Sequence, residues 1–104
     1  MLVLDHEPSG WFLVKDGERL LLDVNCSHSA VSYEFLMELN AREREAHSLR
    51  GHQFLSELAQ RVQDSAPSVL GSASPFRDRV LRGRDRDQVN EITTAWMKTR
   101  DGAL

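Results

Sequence analysis

Cysteine is almost absent from this sequence, which has 104 residues and a single cysteine, Cys26. One cysteine cannot form a disulfide within the chain, so noncovalent packing must hold the fold, as is usual in a reducing compartment. Apolar runs are short, and none approaches the roughly 18 residues of a membrane helix. The start, MLVLDHEPSG, lacks the basic segment of a signal peptide. These absences predict a cytoplasmic protein that does not enter a membrane.

An excess of positive charge is also missing, because the formal net charge is -3 at pH 7. The whole molecule therefore has no electrostatic reason to bind nucleic acid or an anionic membrane. Hydrophobic residues make up 40% of the chain and prolines number only three, a composition typical of globular rather than disordered proteins. At this length we expect one domain, residues 1–104.

The clearest structural signal is WFLVKDGERLLLDV, residues 11–24. An Asp-Gly pair between two apolar runs is typical of a two-residue β-hairpin turn. With Asp16 and Gly17 as the turn, Lys15 lies opposite Glu18 and can form an ion pair with it. Alternation then predicts two apolar faces. The first face carries Trp11, Leu13, Leu20, Leu22 and Val24, and the second carries Phe12, Val14 and Leu21.

Two further strands are predicted beside this hairpin. LVLDHE, residues 2–7, ends at the turn cluster Pro8-Ser9-Gly10. VSYEFLMEL, residues 31–39, is apolar at every second position, which favours a half-buried strand over a short helix.

The second half of the chain has helical spacing. Asn40 followed by Glu43 resembles a capping box, and apolar residues three and four apart predict one long amphipathic helix over 41–63. Gly51 lies in the middle of this helix, where glycine costs about 1 kcal/mol relative to alanine. We therefore predict that Gly51 allows a close approach of the helix to the sheet.

Residues 66–75, APSVLGSASP, form a candidate hinge of small residues. After this segment, Ser74 and Pro75 predict the start of a short helix, and Asp85 or Asp87 predicts the cap of a second one. Strands over 2–39 followed by helices over 40–101 predict an α+β fold. The expected architecture is an antiparallel meander of about four strands packed by one long helix, with two shorter C-terminal helices.

The stretch DVNCSH, residues 23–28, raises the question of thiol or metal chemistry. Cys26 and His28 would share one face of a strand, which permits a small thiol enzyme or redox sensor. A metal site could draw on Asp23, Cys26, His28 and His6, but it lacks the paired ligand spacing of structural zinc sites. Free cysteine is commonly buried, and a structural role is the favoured interpretation. No catalytic residue, metal or cofactor is therefore predicted.

Arginine is concentrated in FRDRVLRGRDRD, residues 76–87. Such a cluster could bind phosphate or an acidic protein surface. The interspersed aspartates and the lack of alternating aromatic residues disfavour nucleic acid as the partner. The residues expected to contact a protein partner are Arg77, Arg82, Arg84 and Arg86.

The second face of the hairpin offers another surface for a partner. If the C-terminal helices leave Phe12, Val14 and Leu21 uncovered, a protein partner or a second copy of the chain should cover them. Cover within the chain is the favoured alternative, because small domains need that burial. The leading hypothesis is a non-catalytic protein-binding or adaptor module. The rival hypotheses are a thiol enzyme at Cys26 and His28 and nucleic-acid binding through residues 77–86.

Overall fold

A computed structural model of the chain describes residues 1–28 and 30–102. Four antiparallel strands form one sheet in the order β1-β2-β3-β4. They are Leu2–Glu7 (β1), Trp11–Asp16 (β2), Arg19–His28 (β3) and Val31–Glu38 (β4). The predicted four-stranded meander and the α+β class are confirmed.

The hairpin of β2 and β3 has a different register from the predicted one. Asp16 pairs with Arg19, so the two turn residues are Gly17 and Glu18. Gly17 has a φ of 60°, whereas Glu18 does not have a positive φ. A turn that needs positive φ only at its first central position suits a single glycine. The predicted pairing of Lys15 with Glu18 is therefore wrong by two residues. A shift of two leaves every side chain on its predicted face.

Two helices, Ala41–Arg50 (α1) and His52–Ser65 (α2), replace the single long helix predicted over 41–63. Gly51 separates them with a φ of 62° and a ψ of -139°, a conformation that is nearly restricted to glycine. A Cβ atom added to Gly51 would meet nothing within 4 Å, so the predicted close approach to the sheet is wrong. The glycine is needed for its backbone conformation, which breaks the helix.

The C-terminal part has one helix, Arg84–Gly102 (α3), and not the two that were predicted. Arg77–Arg79 forms only a single 3-10 turn. The Ser74 hydroxyl accepts a backbone N–H two residues later, as a helix cap would. The turn ends because Val80 is extended and pairs with Met37 of β4. No described helix is long and apolar enough to cross a membrane.

The first face of the sheet is covered mainly by α2. Trp11 anchors this packing, since its indole N–H donates to the Ser56 hydroxyl at 3.2 Å. Burial of apolar side chains is the main stabilising contribution here. The buried cluster contains Trp11, Leu13, Leu22, Val24, Cys26, Phe35, Met37, Leu39, Phe54, Leu55, Leu58, Ala59 and Val62.

The second face is covered by α3, and the buried apolar cluster there is small. It contains Val14, Leu21, Leu36 and Val89. Two ion pairs join the first turn of α3 to the hairpin. Arg86 binds both carboxylate oxygens of Asp23 at 2.8 and 2.7 Å, and Arg19 contacts Asp85 at 2.9 Å.

One border of the sheet is irregular. In β1, Val3 pairs with Val14 but Asp5 pairs with Leu13, so Leu4 is an extra residue and forms a bulge. At the opposite border, the amide N–H of Leu81 donates to the carbonyl of Leu36 in β4 at 2.8 Å.

Candidate functional site

The apolar residues predicted to contact a partner lie beneath α3. Val14 and Leu21 are both 0% exposed. Phe12 is half-buried, and its ring meets the Trp96 ring edge-on at a centroid distance of 5.6 Å. The C-terminal helix therefore covers this face within the chain. Val14 and Leu21 offer no surface to a partner while α3 is in place.

Two arginines of the tail hold the fold together. Arg86 binds Asp23, and this hydrogen bonding raises the pKa of the guanidinium. Arg79 binds the Glu43 carboxylate at 2.6 Å. Glu43 also completes the predicted capping box with Asn40, which is confirmed. Both guanidinium groups are engaged by carboxylates of the same chain, so neither is available as a free cation.

Three other arginines have no such partner. Arg77, Arg82 and Arg84 are exposed. Within the described residues, no carboxylate lies within ion-pair distance of them. Among the four predicted arginines, the structure thus separates one structural residue, Arg86, from three exposed ones.

Arg77 and Arg82 line the same pocket, which encloses about 280 Å³. Leu70 also lines this pocket, and it is 97% exposed. The full lining, which we call the arginine pocket, is Pro67, Ser68, Val69, Leu70, Arg77, Val80 and Arg82. Two positive charges that have no ion-pair partner among the described residues therefore line the same pocket as an exposed apolar side chain.

Hydrogen bonds between serines shape the loop that carries Leu70. The hydroxyls of Ser65 and Ser74 lie 2.6 Å apart, and the Ser72 hydroxyl donates to the Ser65 carbonyl at 3.2 Å. One Arg77 nitrogen donates to the Ser72 carbonyl at 3.2 Å. Serine side chains commonly satisfy backbone groups in loops in this way. The small residues predicted to form a hinge here make a hydrogen-bonded loop, and a hinge role stays a prediction.

The sheet positions the other wall of the pocket. Val80 pairs with Met37, and Leu81 with Leu36, so the chain runs beside β4 immediately before Arg82. Val80 packs against the first-face cluster, and Leu81 packs against the second-face cluster. Arg82 is therefore projected from a fixed backbone.

The cysteine is buried and is 1% exposed. Burial is the main cause that raises the pKa of the Cys26 thiol to about 11; a hydrogen bond with Tyr33 opposes the shift, and the charge of Asp23 adds to it. A neutral thiol is a poor nucleophile and a poor metal ligand. The side chain of His28, the predicted partner of Cys26, lies outside the described residues. Within the described part, no group of three candidate ligands could hold a metal ion.

Leu70 was not predicted from the sequence as a site residue. Periodicity does not identify an isolated leucine in a loop, because such a residue belongs to no apolar stripe. The available signal was the pair Val69-Leu70 within a segment of otherwise small residues.

Comparison with known proteins gives no further information about the site. No protein-family model matches the chain, and no curated protein and no solved structure matches it either.

Proposed function

We propose that the chain is a non-catalytic protein-binding module that docks an acidic segment of a partner in the arginine pocket. The observation that carries the proposal is Leu70, which is 97% exposed and lines the pocket together with the unpaired Arg77 and Arg82. Burying a leucine side chain on association contributes about 1.5–3 kcal/mol of hydrophobic free energy. A partner that covers Leu70 would gain this contribution.

Charge determines the kind of partner. Guanidinium groups bind carboxylates with two parallel hydrogen bonds, and arginine is enriched at the centres of protein interfaces. Asp78 lies in the same segment but does not line the pocket. The complementary segment carries Asp or Glu next to an apolar anchor residue.

The rival functions have less support. In nucleic-acid binding, single-stranded bases commonly stack on aromatic side chains, and no aromatic residue lines the arginine pocket. Because Arg79 and Arg86 are paired with carboxylates of the same chain, two of the positive charges in the segment are neutralised. A thiol function would need a lowered pKa at Cys26, whereas burial raises it.

Selection from a displayed peptide library tests the proposal. We expect enrichment of peptides in which acidic residues flank a leucine or an aromatic residue. A synthetic copy of an enriched peptide, titrated into isotope-labelled protein, should shift the amide signals of residues 67–82. Leu70→Ser and Arg82→Glu should each weaken binding by about tenfold or more, as expected for a central interface residue.

Arg84→Glu is the matched control, because Arg84 is exposed and unpaired but does not line the pocket. Its binding should fall less than that of Arg82→Glu. The proposal is wrong if no acidic motif is enriched, or if Leu70→Ser and Arg82→Glu bind as well as the wild type.

Light scattering at several concentrations tests whether a second copy of the chain is the partner. If the protein dimerises and Arg82→Glu does not weaken the dimer, the dimer interface lies outside the arginine pocket. That result would not support the pocket as a binding site.

A further inference from the structure

His52, the first residue of α2, contacts two carboxylates of the edge strand β1. Its Nδ1 atom lies 2.9 Å from Asp5 Oδ2, and its Nε2 atom lies 2.9 Å from Glu7 Oε2. Only a protonated imidazole donates a hydrogen bond from both nitrogens. The geometry therefore corresponds to a positively charged His52 held between two acidic side chains.

Each element packed against His52 contributes to this arrangement. The charged groups of β1 that face it are Asp5 and Glu7. From β2, the Trp11 ring lies at a centroid distance of 4.8 Å. On the helices, the nearest charged side chains along the chain are Arg50 and Glu57, which pair with each other.

We propose that His52 is a pH-operated link between the sheet edge and α2, which holds Asp5 and Glu7 when protonated and releases Glu7 when neutral. A neutral imidazole has one N–H, and its other nitrogen presents a lone pair. A lone pair facing a carboxylate oxygen at 2.9 Å is repelled, so one of the two contacts must break.

Glu7 is the carboxylate that leaves. Asp5 is the less exposed of the two, with 32% of its side chain accessible against 49% for Glu7. Asp5 is also fixed by a second hydrogen bond, which its Oδ1 atom accepts from the His6 amide at 2.8 Å. The neutral tautomer with the proton on Nδ1 keeps the contact to Asp5.

Residues of the β1–β2 turn line a groove of about 580 Å³. Glu7 lines this groove together with Ser9, Asn25 and Asn90. The Gly10 amide donates a hydrogen bond to the Glu7 carbonyl at 2.9 Å, which ties the backbone of the turn to the end of β1. The proton on His52 thereby determines whether the Glu7 carboxylate in the groove lining is paired with a cation.

The direction of the pH effect follows from the two carboxylates. Their hydrogen bonds raise the pKa of His52 above its ordinary value. The stability that the link contributes is therefore complete below the unfolded-state pKa of the histidine, and it is lost as the pH rises through the folded-state pKa. The Glu7 carboxylate is therefore held by His52 in mildly acidic solution and released in alkaline solution.

Nuclear magnetic resonance measures the link directly. The ring signals of His52, assigned with His52→Gln, should titrate above the usual range of histidine. The amide signals of Glu7 and Gly10 should shift with the same midpoint. Glu7→Gln and Asp5→Asn should each lower the measured pKa of His52. Glu45→Gln removes an exposed carboxylate of α1 and should leave it unchanged.

A second readout uses Trp11 in a Trp96→Phe background, which leaves Trp11 as the single tryptophan of the chain. Its fluorescence should change with the His52 midpoint, and Glu7→Gln should displace that midpoint to lower pH. The proposal is overturned if His52 titrates in the usual range, or if the signals of Glu7 and Gly10 do not follow His52.

Discussion

The two faces of the sheet are covered by different interactions. On the first face, α2 packs into a cluster of thirteen buried residues that includes Phe35 and Leu55. On the second face, the cluster that α3 joins through Val89 has four buried members in the described part of the chain, and α3 also relies on the pairs Arg86–Asp23 and Arg19–Asp85. One helix is held mostly by apolar burial, and the other depends strongly on charge.

This difference predicts different responses to conditions. Hydrophobic packing is indifferent to moderate salt, whereas salt weakens charge pairs, and it weakens the partly exposed pair Arg19–Asp85 more than the buried pair Arg86–Asp23. We therefore expect α3 to separate from the sheet before α2 does. Val14 and Leu21 would then become accessible, because α3 covers them.

The largest effect should come from the first face. Phe35→Ala removes a fully buried ring and should lower the free energy of unfolding by about 4 kcal/mol. Urea denaturation measures this loss. Ser32→Ala, at an exposed position of the same strand, should change it by less than about 0.5 kcal/mol. Equal losses in the two variants would contradict the assignment of Phe35 to the main core.

The next effect should come from the second face. Asp23→Ala removes the buried carboxylate that binds both nitrogens of Arg86, leaves the guanidinium only the exposed Glu34 at 3.2 Å, and should cost about 3 kcal/mol. Hydrogen exchange should show the amides of α3 losing protection before those of α2.

A double variant separates charge from packing at that pair. Asp23→Leu combined with Arg86→Met replaces both charges by apolar groups and should recover most of the stability that Asp23→Ala loses. If the double variant is as unstable as Asp23→Ala, the pair contributes through the packing of its side chains and not through its charges. The second face would then not differ from the first in the kind of interaction that holds its helix.

A smaller effect should come from the break between α1 and α2. Gly51→Ala forces a Cβ atom into a conformation that side chains avoid and should cost about 1–2 kcal/mol, measured by thermal denaturation. If alanine stabilised the protein instead, α1 and α2 would be able to join into one helix, and the break would be dispensable.

The smallest effect should come from the more exposed pair on α3. Asp85→Asn removes the contact with Arg19 and should cost about 0.5 kcal/mol at low salt, because both side chains are partly exposed. The loss should shrink further as salt is added. Asp87→Asn changes a nearby exposed carboxylate and serves as the control. A loss of more than about 2 kcal/mol would contradict the partial solvent exposure of the two side chains.

The strands could be predicted because their signal has a period of two. The hairpin register was wrong by two residues, and yet Trp11, Leu13 and Leu22 lie on the predicted face, since an even shift preserves the faces. The register itself depends on which residue takes the positive φ, and the neighbouring residues Asp16 and Gly17 left that choice open.

The helices were predicted less well, for a local reason. The apolar spacing across Gly51 is continuous, so periodicity alone predicts one helix. The break comes from a backbone conformation that only the folded chain reveals. Similarly, Ser74 was predicted to begin a short helix, but it begins only a turn, which the pairing of Val80 with Met37 ends. That pairing joins residues 43 positions apart, and local patterns do not encode it.

Among the candidate site residues, those with local signals were also predicted better than those that depend on distant contacts. The exposure of Arg77 and Arg82 agrees with a charged segment, but the engagement of Arg86 depends on Asp23, which is distant in sequence. Leu70 had no periodic signal at all. Sequence patterns identify which side chains carry charge, and tertiary contacts decide which of those charges remain free.

The extra residue in β1 affects how readily the edge strands of two molecules could pair in concentrated solution. A straight outer strand would offer its free amide and carbonyl groups as a template on which neighbouring molecules could stack without end. Leu4 distorts that border, and the chain around Val80 and Leu81 occupies part of the other. We expect deletion of Leu4 to straighten the border and to favour fibrous aggregates, because the free groups of β1 would then be evenly spaced.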